Sequence, residues 1–547
     1  MTHRFVSTGA PATGPLVLAV DLGTSGCKCA LVSFDGTVAS WAFEPVPLHI
    51  EGVTAEQDPQ DWWSAFLISA SAVLSDPDAR SRVAAVCCSS MGECTVCVDR
   101  DGNAIGRAIL WLDMRGREAI GRRLRGRWLN VKGCDPWKAA RWLRLTGGIP
   151  SASGKDSAGH IAYIRDCEPK LYERTYKFLN ALDYMNLRLT GRFCTTPESM
   201  VPSWVTDNRN ASSVRYHGTL IGMLGIEREK LPEMVPSTEV LGPLLPHVAK
   251  ALGLAPDTVA VAGATDTSAV AVAASPGDFA PHLYLGTSSW LGAHVPFMKT
   301  DVINGMAAVP CAVEGRYLAI ALQSTAGANL QFLRDRIIYH SKPLLPDEHR
   351  PYVYEILTEV ASRVPAGARG LIYLPWLFGE RSPVDDASLR ACLFNLSLDH
   401  TREDIIRAMM EGVALNTRWT MEPFIRLLGR TPEAIVAAGG GAQSDLWCQI
   451  IADVTGKAVH QLASPVQANA IGAALIAGVG TGALHWADLP ALQRTRRLYE
   501  PNPCLKTLYD DKFGLLKELH RKLAPIYRRL NPEAATDNSR LSAWVRP

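Results

Sequence analysis

Leu16-Val-Leu-Ala-Val-Asp21-Leu-Gly-Thr-Ser25-Gly26 decides the fold. Five apolar residues run into a carboxylate, then into a turn of Gly, Thr and Ser, and a second apolar run follows from Cys27 to Phe34. Asp35-Gly36 is a type I′ hairpin signal, and a third apolar run extends from Thr37 to Phe43. The pattern predicts strand, tight polar turn, strand, hairpin, strand. The turn returns as Leu285-Gly286-Thr287-Ser288, 263 residues later, and 7 of 13 positions agree between 22–34 and 285–297. A period of about half the chain predicts two related domains, each with such a hairpin at its mouth. These turns offer backbone N–H groups and hydroxyls without bulk, which suits a phosphate chain.

The bulk properties fit that picture. A chain of 547 residues is too long for one core. Lys and Arg number 56 against 54 Asp and Glu, so the balance gives no argument for nucleic acid or an anionic membrane as partner. No apolar run approaches the ~20 residues that span a bilayer. Met1 to Gly14 lacks the apolar centre of a signal peptide. Several of the 13 cysteines (Cys27, Cys29, Cys87, Cys88) lie inside apolar runs, as expected for reduced thiols in a cytoplasmic protein.

Along the first half, Asp58-Pro59 predicts a capped helix start, with Trp62, Trp63, Phe66 and Leu67 as its buried face. Val83–Ser89 and Cys94–Val98 read as strands. Cys94 and Cys97 would then face opposite sides, and no His or second CxxC stands at zinc-like spacing. Between those strands lie Gly92 and Glu93, and Trp111 and Asp113 follow another apolar stretch. Polar groups at strand ends are sugar-site candidates, and loop ends facing water are the plain alternative. The six arginines between Arg115 and Arg127 share their segment with Ile120, Leu124 and Trp128 at helical spacing, which favours a solvated helix face over a basic patch. Gly148–Lys155 fails as a P-loop, because its glycines are one residue too far apart and Asp156 replaces the Ser/Thr. Lys170 to Gly191 reads as one helical segment enclosing Asp183.

In the second half, the Pro- and Gly-rich stretch Val235–Pro256 reads as the domain boundary, giving domains 15–256 and 257–500 and a helical tail 501–547. Thr258–Ala262 is a buried strand, followed by Gly263-Ala-Thr-Asp266-Thr267-Ser268 and an alanine-rich helix. Asp266 by itself reads as a helix N-cap; its place about twenty residues before the second hairpin raises the functional reading. Leu371–Trp376 runs into the charged loop Gly379-Glu-Arg-Ser-Pro383. Thr401-x-x-Asp404 opens a long helix. Ile435–Ala438, Gly439-Gly-Gly-Ala442 and Leu446–Val454 read as strand, bare turn, helix. That turn allows close backbone approach to a flat or anionic ligand, but it lacks the third glycine of a dinucleotide fingerprint. Leu515, Leu516, Leu519 and Leu523 mark an amphipathic helix in the tail.

These motifs stand in the order of one family. DLGTSGCK (21–28), AEQDPQDWW (55–63), AILWLDMRG (108–116), GATDTSA (263–269), LGTSSW (285–290), GERSPVDD (379–386) and GGGAQSDLWCQIIADVTGK (439–457) together resemble the FGGY carbohydrate kinases, of the actin/hexokinase/Hsp70 ATPase superfamily. The resemblance implies an α/β fold of two ribonuclease-H-like domains flanking a catalytic cleft, with ATP and Mg²⁺ as cofactors. By position, Asp21 resembles the acid that helps hold hydrated Mg²⁺, with Asp266 as catalytic base and second metal-side acid. Thr24, Ser25 and Lys28 resemble the first phosphate hairpin; Gly286, Thr287 and Ser288 the second; Gly440, Gly441 and Ala442 the adenosine turn. Gly92, Glu93, Trp111, Asp113, Asp266 and Thr267 fall where the sugar binds.

The acceptor is read less directly. Xylulokinases typically carry Gln-Met-His-Gly where this chain has Met91-Gly92-Glu93-Cys94, and glycerol kinases carry Arg-Glu, of which only the Glu is matched. The base is followed by Thr267 instead of Gln or Asn. The 108–113 and 263–272 segments resemble the xylulokinase subgroup, so the resemblance implies phosphorylation of a primary hydroxyl of a ketopentose such as D-xylulose. A glycerol- or erythritol-type polyol kinase and a non-catalytic nucleotide-gated binding protein are the alternatives. The implied partners are a small sugar or polyol and ATP, with a homodimer as a further option and neither nucleic acid nor membrane expected.

Overall fold

The computed structural model describes residues 7–8, 12, 14–131, 133–274, 277–338 and 353–532. No helix among them is long and apolar enough to cross a membrane. β1 (Leu16–Gly23), β2 (Gly26–Ser33) and β3 (Val38–Pro45) form the expected antiparallel meander. Gly36 takes φ +81° in the β2–β3 hairpin, a conformation that costs glycine nothing. Asp58 caps α1 (Pro59–Val73), accepting from the Gln60 amide at 2.8 Å, and Trp62 and Phe66 bury beneath the meander.

β4 (Val83–Ser90) lies parallel to β1. Two strands from much later in the chain complete the sheet: β5 (Val240–Pro243) is its antiparallel edge, and β6 (Val259–Thr265) pairs parallel with β4. With the two-residue edge strand Ser7–Thr8, the order is edge–β3–β2–β1–β4–β6–β5. This corrects the expected domain boundary. A division at 256/257 would cut the first sheet between β5 and β6, because the Pro- and Gly-rich stretch is not a linker: it holds the edge strand β5 and a short helix, Pro246–Leu252, whose Val248 and Leu252 join the first core.

A separate lobe hangs between β4 and β5. It contains α2 (Arg117–Leu124) and α3 (Ser157–Cys167), packed on their own core around Trp142, Ile161 and Phe178, whereas α4 (Ala181–Thr190), from the same stretch of chain, packs on the first sheet through Leu182 and Met185. The helix expected across Lys170–Gly191 is broken by the strand Lys177–Leu179, which pairs with Val96–Val98. Phe178 and Leu179 bury on opposite faces of that ladder, a two-residue periodicity that a helical reading overlooks. Cys94 and Cys97 enter different cores, as their spacing requires. Among the described residues no His/Cys/Asp/Glu group of three or more could hold a metal ion.

After α5 (Asp266–Ala274) the plan repeats. β7 (His282–Leu285), β8 (Ser289–Val295), β9 (Met306–Pro310), β10 (Tyr317–Gln323), β11 (Ala434–Ala438), β12 (Ala458–Leu462) and β13 (Thr495–Tyr499) make a sheet ordered β9–β10–β8–β7–β11–β12–β13, with the short strand Thr300–Asp301 beyond β9. The run β10–β8–β7–β11–β12 has the same order and directions as β3–β2–β1–β4–β6. The repeat seen in the turn sequences is therefore a repeat of topology.

α6 (Arg402–Leu428) starts at a Thr401/Asp404 capping box, and α7 (Asp445–Thr455) at Ser444. α8 (Ala468–Gly480) follows β12 as α5 follows β6. The two equivalent helices pack against each other between the sheets. α8 covers the first sheet with Ala470, Ala473 and Ala474, and α5 turns Val270 and Ala273 to the second sheet beside Trp290 and Val436. α9 (Lys506–Leu530) docks the tail on the second half through Tyr509, Phe513, Leu516 and Leu519; Leu515, expected on that face, points to solvent. The tail beyond 532 lies outside the described residues.

Candidate active site

Three parallel strands of the first sheet end together. Leu22 and Thr265 both lie opposite Ser90 in the ladder, so Asp21, the Met91–Glu93 turn and Asp266 share one rim. Ligands of such sheets bind at the carboxyl ends of the parallel strands. Gly263 makes the meeting possible. It takes φ +75°, and a Cβ there would run into the Cys88 carbonyl oxygen, so β6 bulges against β4 just before it delivers Asp266.

Asp266 is the first residue of α5, and its carboxylate accepts from the Thr267 amide at 2.7 Å. Burial, then the charge of Asp21, and behind them that of Glu93, push the Asp266 carboxyl up to about 7, against that amide. Asp21 is buried and firmly held: Lys28 Nζ approaches one oxygen at 3.2 Å, and Asn469 Nδ2 donates to the other at 3.0 Å. Lys28 also donates to the Val466 carbonyl at 3.1 Å, which pins the first hairpin to the approach of α8.

Thr24 turns toward the acceptor side. Its hydroxyl contacts Met91 Sδ at 3.4 Å and accepts from Trp111 Nε1 at 3.0 Å, and its carbonyl accepts from Gln57 at 2.8 Å. Ser25 is exposed at the tip. Trp111 is thereby tied to Thr24 and lies half-buried. Asp113 is fully buried, and its oxygens accept from the Ala55 amide at 2.8 Å and from Arg115. It holds Arg115, which reaches on to Glu56 at 2.6 Å, and has no free oxygen for a ligand. Glu93 stands half-buried at φ +57°, an uncommon conformation for a side-chain-bearing residue, next to Gly92, around which no atom would crowd a Cβ. Thr267 is half-buried beside the base.

The second sheet arranges its turns at the matching edge. The Gly286 and Thr287 carbonyls accept from Gly327, Ala326 and Ala328, which fixes the second hairpin against the segment after β10. Gly439 takes φ +88° with its α-carbon against the Leu285 carbonyl, so the Gly439–Ala442 turn lies on the β7 end. Gly440 faces open space, whereas Ala442 is fully buried and its carbonyl accepts from Gln461 at 2.7 Å. The turn thus offers backbone at Gly440 and anchors itself at Ala442. Thr287 and Ser288 share their rim with Tyr284, whose ring stacks on Trp290 and whose hydroxyl is raised by burial and by the charges of Asp21 and Asp266.

Sequence reasoning missed two residues. Asn469 is the one amide near the start of an otherwise small apolar helix, a signal that was available. Glu380, within the charged loop, is buried and pushed up to about 7 by burial, with the Ser324 and Arg381 amides and Asn416 pulling it down; it braces that loop against α6.

Asp21 and Asp266 put two carboxylates on one rim of the first sheet. That fits Mg²⁺, which keeps several waters and takes only one or two protein acids with substrate phosphates. Asp266 retains a second oxygen outside its amide contact.

Comparison with known proteins gives the family. Residues 16–273 match the N-terminal domain of the FGGY family of carbohydrate kinases, and residues 282–481 match its C-terminal domain. A xylulose kinase of Bacillus subtilis is 27% identical over 469 residues, covering 85% of this chain and 88% of that protein. A gluconokinase of the same organism is 24% identical over 480 residues, covering 86% and 89%. The structure of a ligand-bound xylulose kinase from Lactobacillus acidophilus superposes with a TM-score of 0.79 at 23% identity, covering 94% of this chain and all of that one. Two sheets of one topology, with paired acids on one and glycine turns on the other, and matches across both halves, make this chain a member of the FGGY family of carbohydrate kinases.

Proposed function

We propose that the enzyme transfers the γ-phosphoryl group of ATP to a primary hydroxyl of an open-chain ketopentose such as D-xylulose, giving the 5-phosphate and ADP. The observation that carries this reading is Asp266, an aspartate held near neutrality at the end of β6, in the electrostatic field of Asp21. A carboxylate with that pKa accepts the hydroxyl proton at neutral pH and fixes the angle of attack, an effect of about 10²–10⁴ in rate.

Asp21 and Asp266 would hold hydrated Mg²⁺, which supplies charge neutralisation between the phosphates. Phosphoryl transfer asks for in-line placement and neutralised oxygens more than for covalent help. The amides of Ser25, Gly286, Thr287 and Ser288 supply the phosphate cradle and Gly440 the adenosine contact in this reading. Trp111, fixed by Thr24, forms one wall of the acceptor site. Because the hairpins belong to different halves, they surround one phosphate chain only when the cleft shuts, which also keeps water from replacing the sugar.

The 108–113 and 263–272 segments and the xylulose kinase relatives support a ketopentose; Glu93 is the feature that favours a polyol. A coupled assay of ADP release over D-xylulose, D-ribulose, D-gluconate, glycerol and erythritol decides between them. Turnover of D-xylulose above the polyols is expected, and turnover of glycerol without any ketose overturns the reading.

A further inference from the structure

Gln57 is fully buried, one residue before the cap of α1, and both ends of its side-chain amide are used. Its Oε1 accepts from Trp62 Nε1 at 2.9 Å, and its Nε2 donates to the Thr24 carbonyl at 2.8 Å. Chemistry settles the direction of this chain. An indole N–H only donates, so the amide turns its oxygen to Trp62 and its NH₂ to Thr24. The far end is anchored: Trp62 is itself fully buried in the first core, edge-on to the ring of Tyr184.

The Thr24 carbonyl and the Ser25 N–H belong to one peptide group. In a trans peptide the two bonds lie in one plane and point in opposite directions. A carbonyl drawn toward the core by Gln57 therefore turns the Ser25 N–H away from the core, at the exposed tip of the hairpin. That N–H donates to no group among the described residues, whereas the Ser25 carbonyl accepts from the Val46 amide at 3.1 Å. Thr24 is held by its hydroxyl as well, which accepts from Trp111 Nε1 at 3.0 Å, so rotation of the peptide is resisted from a second side. A hydrogen bond received by the carbonyl also polarises the peptide group and makes its N–H a stronger donor. The first hairpin thus presents a free donor whose direction and strength are set by a buried side chain 33 residues away in sequence.

We propose that Gln57 is a positioning residue for phosphoryl transfer: through the Thr24 carbonyl it aims the Ser25 N–H at the phosphate chain. This rests on the reading of the hairpins as the phosphate cradle.

The test uses Gln57→Glu and Gln57→Met. The glutamate variant keeps the shape of the side chain and an acceptor for Trp62. Its neutral carboxyl still donates to the Thr24 carbonyl; its ionised form cannot, and sets oxygen against oxygen. Burial raises the pKa of such a carboxyl, to about 8–9 in documented cases, so both forms are reached between about pH 6 and 9. The quantity to follow is kcat relative to wild type at each pH, with the best acceptor of the panel; Asp266, present in both enzymes, cancels in the ratio. For Gln57→Glu the ratio is expected near one at the acid end and to fall about 10- to 100-fold as the new carboxyl ionises, somewhat less than the loss of a whole transition-state donor. Gln57→Met, which has no donor at any pH, is expected to be low throughout. The KM for the acceptor should stay within about threefold in both. Calorimetric affinity for MgATP without acceptor should weaken in Gln57→Glu over the same pH range. A ratio independent of pH in Gln57→Glu, wild-type kcat in Gln57→Met, or a loss confined to the acceptor KM overturns the proposal, since a merely structural amide has no reason to follow the ionisation of its replacement. If wild type binds MgATP but releases no ADP with any acceptor, the acceptor reading fails and the calorimetric arm decides for Gln57. If wild type binds no MgATP, both readings fall.

Discussion

A carboxyl held near 7 answers pH in two measurable ways. For catalysis, kcat/KM of the free enzyme is expected to rise with pH along a limb centred near 7, as Asp266 loses its proton. Asp266→Asn should keep nucleotide binding and lose about 10²–10⁴ of the sugar-dependent ADP release, and unchanged turnover would remove Asp266 from the mechanism. For stability the sign is the reverse of the usual aspartate. The folded pKa lies above the unfolded one, so the contribution is complete below about pH 4 and is lost as pH rises through 7. Asp266→Asn should therefore melt progressively higher than wild type from pH 4 to 7 and hold that margin above. A margin independent of pH would contradict the perturbed carboxyl. Asp21 and Asp266 are legible in the sequence because each ends an apolar strand beside a glycine turn. Asn469 stands out as the one amide near the start of a small apolar helix, but its partner does not, because the bond to Asp21 joins residues 448 apart. Asp113 misleads for a related reason: its strand-end position is that of a ligand, but Arg115, two residues on, claims it.

At the scale of elements, local signals worked wherever a cap or a turn fixes the backbone. Asp58, Thr401/Asp404 and Asp35-Gly36 each delivered the element they announce. Reading failed where pairing across long distance overrides local pattern, as in Lys177–Leu179, and where an edge strand with a short helix after it imitates a linker, as at β5. Two contacts between elements carry predictions. Gly472 of α8 lies against the Ala269 carbonyl of α5, where any Cβ would collide with backbone. Gly472→Ala should cost about 1–3 kcal/mol, read as a fall in melting temperature, and should lower activity by prying the two helices apart. α9 is locked by Lys512, which donates to the Gly367 carbonyl at 2.6 Å, the Leu371 carbonyl at 2.8 Å and Glu411 at 2.9 Å, with Arg407 and Tyr509 on the same carboxylate. Lys512→Met strands three buried acceptors and should destabilise by about 3–5 kcal/mol in chemical denaturation, with kcat unchanged well below the melting point.

At the scale of the whole molecule, the duplicated turn in the sequence announced two halves, and the shared strand order bears it out. What no local pattern announces is that α5 and α8 tie the halves together: α8 rests on the first sheet, and α5 lies on both, with Val272 toward the first and Val270 and Ala273 toward the second. Covalent continuity between 274 and 282 is thus the least of the ties between the halves. A polypeptide stopping there would leave Val17, Ala19, Ala30 and Val32 without the α8 alanines that cover them, and its partner would lack α5 over Trp290 and Val436. Each piece made alone is expected to be insoluble, and the two made together in one cell to reassemble into working kinase, a fragment complementation scored by ADP release. The enzyme is divisible as a gene but not as a folded object.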